Sequence, residues 1–370
     1  MWTDVGALLL IATVAFGTTA ALTPVVRWVA LRGGMSDDPS RRRLHQVTTP
    51  TMGGIAILAG WLLATAISGR GGDLWALLVC AGALGVMGFI DDRFHLDEHL
   101  RLVLQVLIAG FAWGHGFGLE LFGTPGLNLI VSLLWLVGIT NAFNFMDNMD
   151  GLASGAGAVA ATTLAALGLF AGDIGIAFVA IALAGALAGF LPHNFHPARI
   201  FMGDTGSLPL GFALAALGAR LSTDGLHPFV ATAIPVAVLG IFVFDTSLMA
   251  IGRVIRREPV IGARMDHTSH RLLGTGLPVR AVALRLYLVS VLYSTIGLSL
   301  ALLPAQWAVA VCTATFVGSA QVLLRLLPLP ALVREGDALV PVAEPTPRMP
   351  RFRLSDAIEP ITLSEDALID

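Results

Sequence analysis

Apolar residues run along this chain in long stretches separated by short polar intervals. About eleven stretches read as membrane-spanning helices, which need roughly 20 apolar residues each. They cover residues 5–31, 53–68, 74–90, 102–116, 127–144, 152–171, 174–191, 205–221, 228–252, 279–303 and 306–327. The shorter ones must extend into their flanks to cross. Small residues crowd several of them, as from Ala156 to Ala161 and from Ala180 to Gly189, which suits close helix packing. The pattern predicts an all-α polytopic membrane protein, with one transmembrane domain over residues 1–327. From 328 to 370 the chain mixes Pro with both charges and has no periodicity, so a disordered cytoplasmic tail is expected there.

Composition agrees with this class. Of the 370 residues 56% are hydrophobic and only 13% charged, with mean hydropathy +0.80, whereas soluble domains carry about 25% charged residues. The net charge of −3 suggests no nucleic-acid partner. All 22 basic residues are Arg, and their placement sets an orientation. The intervals 32–52, 91–101, 145–151, 192–204 and 253–278, with the tail, hold most of them, including Arg41, Arg42, Arg43, Arg93, Arg101, Arg253 and Arg271. The alternate intervals hold essentially Arg70. The positive-inside rule then puts the first set and the C-terminus in the cytoplasm and the N-terminus outside. Cys80 and Cys312 lie in apolar runs, so a disulfide framework is not expected. The opening Met1-Trp2-Thr3-Asp4 lacks a basic region and reads as the start of a retained first helix.

The unusual polar residues gather on that same side. Residues 141–151 read NAFNFMDNMDG, with Asn141, Asn144, Asp147 and Asp150 spaced three apart. An α-helix would spiral them over half its surface, and a 3₁₀ ending would stack them in one row. Gly151 reads as a helix terminator. Carboxylates at membrane depth are costly unless they face a partner, water or a metal. Residues 41–54 read RRRLHQVTTPTMGG. A basic cluster there attracts headgroups or phosphates, and Gly53-Gly54 would let backbone come close to a ligand. In GFIDDRF, Asp91 and Asp92 repel each other unless a cation or Arg93 compensates. Asp204 stands just before an apolar helix in HNFHPARIFMGDTGS, where it could cap that helix or the helix end could bind phosphate. Further on, Asp245 is the only acidic residue well inside an apolar stretch, and His267 and His270 lie between Asp266 and Arg271. Two histidines without a nearby cysteine make a poor zinc site, and a basic loop gripping phosphates fits better. Oxygen donors of this kind favour Mg²⁺, with Mn²⁺ the other candidate. A hard cation with Arg and His around phosphate describes phosphoryl transfer. An ion-coupled transporter is the reading from another class. It calls for mid-span polar residues and internal repeats, and Asp245 alone meets either demand.

The motifs GFIDDRF, NAFNFMDNMDGLASG, HPARIFMGDTGSLPLGF and DHTSHRLLGTGL, in this order, resemble those of the polyprenyl-phosphate N-acetylhexosamine-1-phosphate transferases, glycosyl transferase family 4. The resemblance runs from about Asp37 to Leu277, and FDTSLMAIGRVIRR is similar to the branch that initiates O-antigen, teichoic acid or arabinogalactan lipids. It implies a bacterial cytoplasmic-membrane enzyme in which undecaprenyl or decaprenyl phosphate attacks the β-phosphorus of a UDP-N-acetylhexosamine, UDP-GlcNAc foremost. UMP leaves, and the lipid product starts a cell-envelope polysaccharide. Phospho-MurNAc-pentapeptide translocation is the alternative within the family, since TPTMGG and HPARIFMGD are also similar to that branch. By position, the resemblance implies that Asp204 and Asn144 are Mg²⁺ ligands and that Asp91 and Asp92 are the catalytic pair at the lipid phosphate. Asp147 and Asp150 would shape the catalytic site, Asn194 would contact uridine, and His267, His270 and Arg271 would hold the pyrophosphate. Arg43, His45 and Thr51 complete the expected substrate-binding set, and the family admits a homodimer. One departure stands out: the family's H-x-H-H pattern here reads His267-Thr268-Ser269-His270, with Ser in place of the middle His. A phosphate monoester has its second pKa near 6, so the lipid phosphate is largely a dianion at neutral pH. The Asp pair is therefore expected to orient it rather than to remove a proton, with a covalent aspartyl phosphate as the other route.

Overall fold

The apolar stretches fold as helices in the computed structural model, which describes residues 2–37, 48–221, 226–260, 264–330, 332–335 and 338–341. They are α1 (Trp2–Arg32), α2 (Gly53–Ser68), α3 (Trp75–Phe94), α4 (Glu98–Gly114), α5 (Pro125–Met146), α6 (Leu152–Phe170), α7 (Ile174–Asn194) and α8 (Asp204–Arg220). There follow α9 (Pro228–Val238), α10 (Gly240–Ile255), the short α11 (Thr268–Leu273), α12 (Val279–Leu302) and α13 (Ala305–Leu326). Among the described residues seven helices are long and apolar enough to cross a membrane, or eight if α9 and α10 form one broken span. The chain is an all-α polytopic membrane protein; α2 is a shorter apolar helix of 16 residues, and α4 and α8 have 17 residues each.

Local chemistry explains the helix ends. The Asp97 carboxylate accepts hydrogen bonds from the amides of His99 and Leu100 at the start of α4, and Asp173 does the same for Ile176 in α7; both occupy amides that the helix itself leaves unpaired. Pro125 opens α5, where a missing N–H costs nothing. Gly151 corrects the sequence reading. It does not terminate α5, which ends at Met146, but stands at φ +76 just before α6 as that helix's N-cap.

Residues 228–252, read as one span, hold two helices with a break between them. The chain bends by 80° between α9 and α10. Pro235 removes one bond from the helical ladder. At Gly240 a Cβ would lie 2.5 Å from the Tyr293 ring, so only glycine lets the turn pack against α12. In the tail, β1 (Leu332–Glu335) pairs antiparallel with β2 (Ala338–Pro341), and the Leu332 amide donates to the carbonyl of Met265 at 2.9 Å. Residues 342–370 lie outside the described residues, as do Arg43 and His45.

The core is built on close backbone approach. α7 packs on α1, α2 and α6, and Gly185 and Gly189 sit against the backbone carbonyls of Ala12 and Phe16. Buried Trp61 and Trp135 each donate an indole N–H to a backbone carbonyl at 3.0 Å, Val179 and Ala215 respectively. α8 is buried from Thr205 to Gly218, enclosed by α2, α3, α5 and α6. Its N-terminus rests on two glycines. A Cβ on Gly88 of α3 would come within 2.2 Å of the Asp204 carbonyl oxygen, and one on Gly54 of α2 within 2.2 Å of the Gly206 nitrogen. The Gly53-Gly54 pair thus meets the protein's own backbone, with its amides donating to the carbonyls of Phe201 and Met202, rather than a ligand as the sequence suggested.

This packing makes a prediction. Gly88→Ala must push α3 away from α8, at about 1–3 kcal/mol of overpacking cost. Activity per folded molecule should fall roughly tenfold or more, because the shift displaces Asp204. Gly82→Ala on the same helix meets nothing within 4 Å and should leave both thermal unfolding temperature and activity close to wild type. Equal behaviour of the two variants would contradict the packing argument.

Candidate active site

The ends of α3 and α5 and the start of α8 meet at one end of the bundle, beside α4, α10 and α11. There they line a cavity of about 910 Å³. Thr51, Asp91, Asp92, Asn144, Asp147, Asp150, Asn194, Asp204, His267 and His270 all border it, together with Arg93, Arg101, Gln105, Asn148, Arg253 and Arg264. A smaller polar hollow of about 640 Å³ at turns 69–75 and 171–175 is lined by glycines with Arg70, Asp73 and Asp173. It gathers none of the motif residues.

Asp92 organises the cavity floor. One of its oxygens accepts the Asp204 amide at 2.9 Å, and the other accepts the Thr205 amide at 3.0 Å and the Thr205 hydroxyl at 2.7 Å. The carboxylate therefore caps α8 from the end of another helix, where the helix dipole and unpaired amides favour negative charge. Gly203, at φ +67, makes room for it; a Cβ there would lie 2.6 Å from Asp92 Oδ2. The sequence left open whether Asp204 capped its own helix. It does not: Asp204 is the first helical residue, and its side chain is turned to other partners.

Those partners balance charge. Asn144 Nδ2 donates to Asp204 Oδ1 at 2.6 Å and to Ser207 Oγ at 2.7 Å. Arg101 Nη1 bridges Asp91 Oδ2 at 2.7 Å and Asp204 Oδ2 at 3.1 Å. Asp91 is buried and also accepts the Leu96 amide at 2.8 Å. The compensating cation is thus Arg101, not Arg93, whose guanidinium lies over the Phe94 ring. The sequence reading counted Arg101 only as an orientation charge. A signal was available: Arg101 and Gln105 are four apart on α4 and so share a face, and Gln105 accepts from Asn141 Nδ2 at 2.6 Å.

The NAFNFMDNMDG residues divide into two sets. Asn141 and Asn144 stand on the last turns of α5; Asp147 is its C-cap, and Asp150 lies in the following turn, so neither a continuous helix nor a 3₁₀ row forms. Asp147 is partly exposed to the cavity. Burial, and then the charges of Asp204, Asp150 and Asp92, hold its carboxyl well above the usual carboxylate range. Asp150 is turned to the loop after α7, where its Oδ2 meets His196 Nδ1 at 2.7 Å and the Ala198 amide at 3.0 Å. Asn194 is spent on structure in the same way: its Oδ1 accepts from the Gly151 amide and Ser154 Oγ, and its Nδ2 donates to the Ile200 carbonyl.

On the opposite wall, His267 Nδ1 lies 2.8 Å from Asp245 Oδ2. His270 is buried, and its Nδ1 has no hydrogen-bond partner among the described residues. Burial, and then His267, pushes its pKa down to about 3, so it offers a neutral ring rather than a cation. Ser269, in place of the family's middle His, donates to Asn148 Oδ1 at 2.6 Å and ties α11 to the turn after α5. Arg271 does not line the cavity. Its Nη1 donates to the carbonyls of Leu326, Leu327 and Leu329 and its Nε to that of Asp266. It fastens the end of α13 instead of reaching a pyrophosphate. Arg253 takes the cavity-lining place, gripping Asp266 at 2.8 and 2.9 Å.

No three His, Cys, Asp or Glu side chains among the described residues converge as a ready-made metal cage. The donor set nonetheless fits Mg²⁺, which is usually held by one or two carboxylates plus substrate phosphates. After burial, the charges of Asp204, Asp150 and Asp92 add repulsion at Asp147, which a cation there would offset.

Comparison with known proteins identifies the family. The family model of glycosyl transferase family 4 matches residues 74–222, which run from α3 through α8. A relative in Bacillus subtilis described as a probable undecaprenyl-phosphate N-acetylglucosaminyl 1-phosphate transferase is 34% identical over 75% of this chain and 80% of its own length. A decaprenyl-phosphate N-acetylglucosaminephosphotransferase of Mycolicibacterium smegmatis is 34% identical over 74% and 78%. A phospho-N-acetylmuramoyl-pentapeptide-transferase of Desulforamulus reducens is 35% identical over 68% and 81%. The chain belongs to glycosyl transferase family 4, the polyprenyl-phosphate N-acetylhexosamine-1-phosphate transferases. It is a transferase and a multi-pass membrane protein.

Arg101 supplies the test of this geometry. Arg101→Gln leaves Asp91 and Asp204 facing each other without a counter-charge. The rate should fall roughly 10–10²-fold, equivalent to about 1.4–2.8 kcal/mol. Both contacts come from a single nitrogen, so Arg101→Lys should recover part of the loss. Near-normal turnover of Arg101→Gln, at unchanged thermal stability, would contradict this role.

Proposed function

We propose that the chain transfers GlcNAc-1-phosphate from UDP-GlcNAc to undecaprenyl or decaprenyl phosphate. The lipid phosphate oxygen bonds to the sugar-bearing phosphorus, the bond to the UMP oxygen breaks, and UMP departs. The observation that carries the reading is the cluster of Asp91, Asp92, Asn144 and Asp204 around Arg101 on one cavity wall, with His267 on the other. The relatives' names give the acceptor and the sugar.

Asp204 and Asn144 would hold Mg²⁺, with the Asn144 amide reversed so that its oxygen faces the ion. When bound, it would neutralise the diphosphate of the donor. Asp92 keeps Asp204 in place through α8, and Asp91 with Arg101 fixes the lipid phosphate's approach. Asp147, Asn148 and His270 border the space between the two walls, and Asp150 and Asn194 border it too while bracing the turns after α5 and α7. Thr51 lies at its rim, and Arg43 and His45 would complete the acceptor side.

We read the thirteen helices among the described residues as eleven crossings, with α9 and α10 sharing one and the six-residue α11 too short to cross. The arginine-rich intervals border the cavity through Arg93, Arg101, Arg253 and Arg264. By the positive-inside rule this supports a cytoplasmic site, an outer N-terminus and an inner C-terminus.

The test uses membrane vesicles and labelled donors. Inside-out vesicles should transfer GlcNAc-1-phosphate from added UDP-GlcNAc in the presence of Mg²⁺, and sealed right-side-out vesicles should not. EDTA should abolish transfer reversibly, and Asp204→Asn should lower it roughly 10²–10³-fold, about 3–4 kcal/mol. Transfer only from UDP-MurNAc-pentapeptide would favour the pentapeptide branch. Activity confined to right-side-out vesicles would invert the orientation.

A further inference from the structure

Asp245 is a carboxylate in an expensive place. It lies in the first half of α10, inside the bent helix pair, and is 1% exposed. A carboxylate at such depth needs full compensation. Among the described residues it has no arginine partner. Instead one oxygen lies 2.8 Å from His267 Nδ1, and the other accepts the Thr268 amide at 2.7 Å. Both partners are at the start of α11, and His267 borders the cavity.

With Nδ1 committed to Asp245, Nε2 is the ring nitrogen left for a ligand in the cavity. The ring is otherwise held by apolar and imidazole neighbours, Phe145 at 6.2 Å and His270 at 5.8 Å between centroids, which restrain its position without fixing its proton. Only a hydrogen-bond partner decides which nitrogen carries that proton. A carboxylate that accepts from Nδ1 leaves Nε2 as an acceptor when the ring is neutral, and stabilises the ring when a phosphate draws a second proton onto Nε2. The preceding residue, Asp266, is anchored separately by Arg253, so Asp245 is not needed merely to retain the loop.

We propose that Asp245 is a positioning residue for His267, holding its imbedded imidazole by Nδ1 so that Nε2 faces the donor diphosphate. This rests on the phosphotransfer reading above for its ligand, but the orientation itself can be measured without turnover. Asp245→Asn keeps an acceptor for the Thr268 amide and can present N–H to His267 Nδ1, which forces the opposite tautomer.

The experiment compares wild type, Asp245→Asn, His267→Ala and the double variant as purified full-length protein in detergent. Kinetic constants with UDP-GlcNAc and undecaprenyl phosphate are taken per folded molecule. ¹⁵N-histidine NMR, assigned by the signal missing in His267→Ala, reads the tautomer. Asp245→Asn should lower kcat roughly 10–10²-fold with KM for UDP-GlcNAc within about threefold, as expected when an interaction made only in the transition state is lost. The double variant should be no slower than His267→Ala, since Asp245 acts through that ring. The His267 signal should show a protonated Nδ1 in wild type and a protonated Nε2 in Asp245→Asn. The proposal is overturned by losses that multiply in the double variant, by an unchanged tautomer, or by an Asp245→Asn chain that fails to fold while His267→Ala folds. A wild type inactive with every donor refutes the phosphotransfer reading alone, and the tautomer still decides the role of Asp245.

Discussion

Three hydrogen bonds into one carboxylate hold this site together. Asp92 receives the Asp204 amide, the Thr205 amide and the Thr205 hydroxyl at 2.7–3.0 Å, and so the end of α3 caps the start of α8. A helix N-terminus packed among other helices would otherwise carry unpaired amides. Satisfying them from α3 fixes where Asp204 begins and which way it faces. The same contact uses up one member of the Asp91–Asp92 pair, so the two adjacent carboxylates do different work: Asp92 is structural to the cavity floor and Asp91 faces Arg101.

The rest of the architecture serves that junction. Gly88 and Gly54 bring α3 and α2 to within a Cβ's width of the α8 backbone, and Gly203 leaves space for the capping carboxylate. Charge balance then follows from position. Arg101, supplied by α4 immediately after the α3 turn, lies between Asp91 and Asp204. On the far wall Arg253 holds Asp266, and Asp245 holds His267. Burial first, and then the surplus of negative charge on its neighbours, raises the proton affinity of Asp147. That surplus is what a divalent cation and a basic wall would offset when a diphosphate enters.

Much of this was legible in the sequence, for identifiable reasons. Long apolar runs mark helices because nothing else satisfies backbone groups in lipid, and ordered motifs placed the acidic residues at one end. What escaped was direction. Spacing three apart in Asn141, Asn144, Asp147 and Asp150 could not reveal that α5 stops at Met146, sending Asp150 to His196 and Ala198. A basic residue beside two histidines looked like a phosphate grip, yet Arg271 is claimed by the carbonyls at the end of α13, a partner 55 residues away. Arg101 was missed because an arginine at a membrane edge has an orientation role that needs no further explanation. Gly53-Gly54 showed that close approach was required, but not that the approaching group was α8 itself. In each case local pattern gave the residue and tertiary packing chose its partner.

The proposed cation role of Asp204, held in place by the Asp92 cap, has a direct test, because donor phosphate should add ligands to the ion and tighten its binding. Electron paramagnetic resonance of Mn²⁺ with the purified protein tests it directly, titrating free Mn²⁺ with and without UDP-GlcNAc. The account predicts tight Mn²⁺ binding that strengthens roughly tenfold or more with donor, about 1.4 kcal/mol of coupling, and that disappears in both Asp204→Asn and Asp92→Asn. Binding that is indifferent to UDP-GlcNAc, or that survives unchanged in Asp204→Asn, would contradict it.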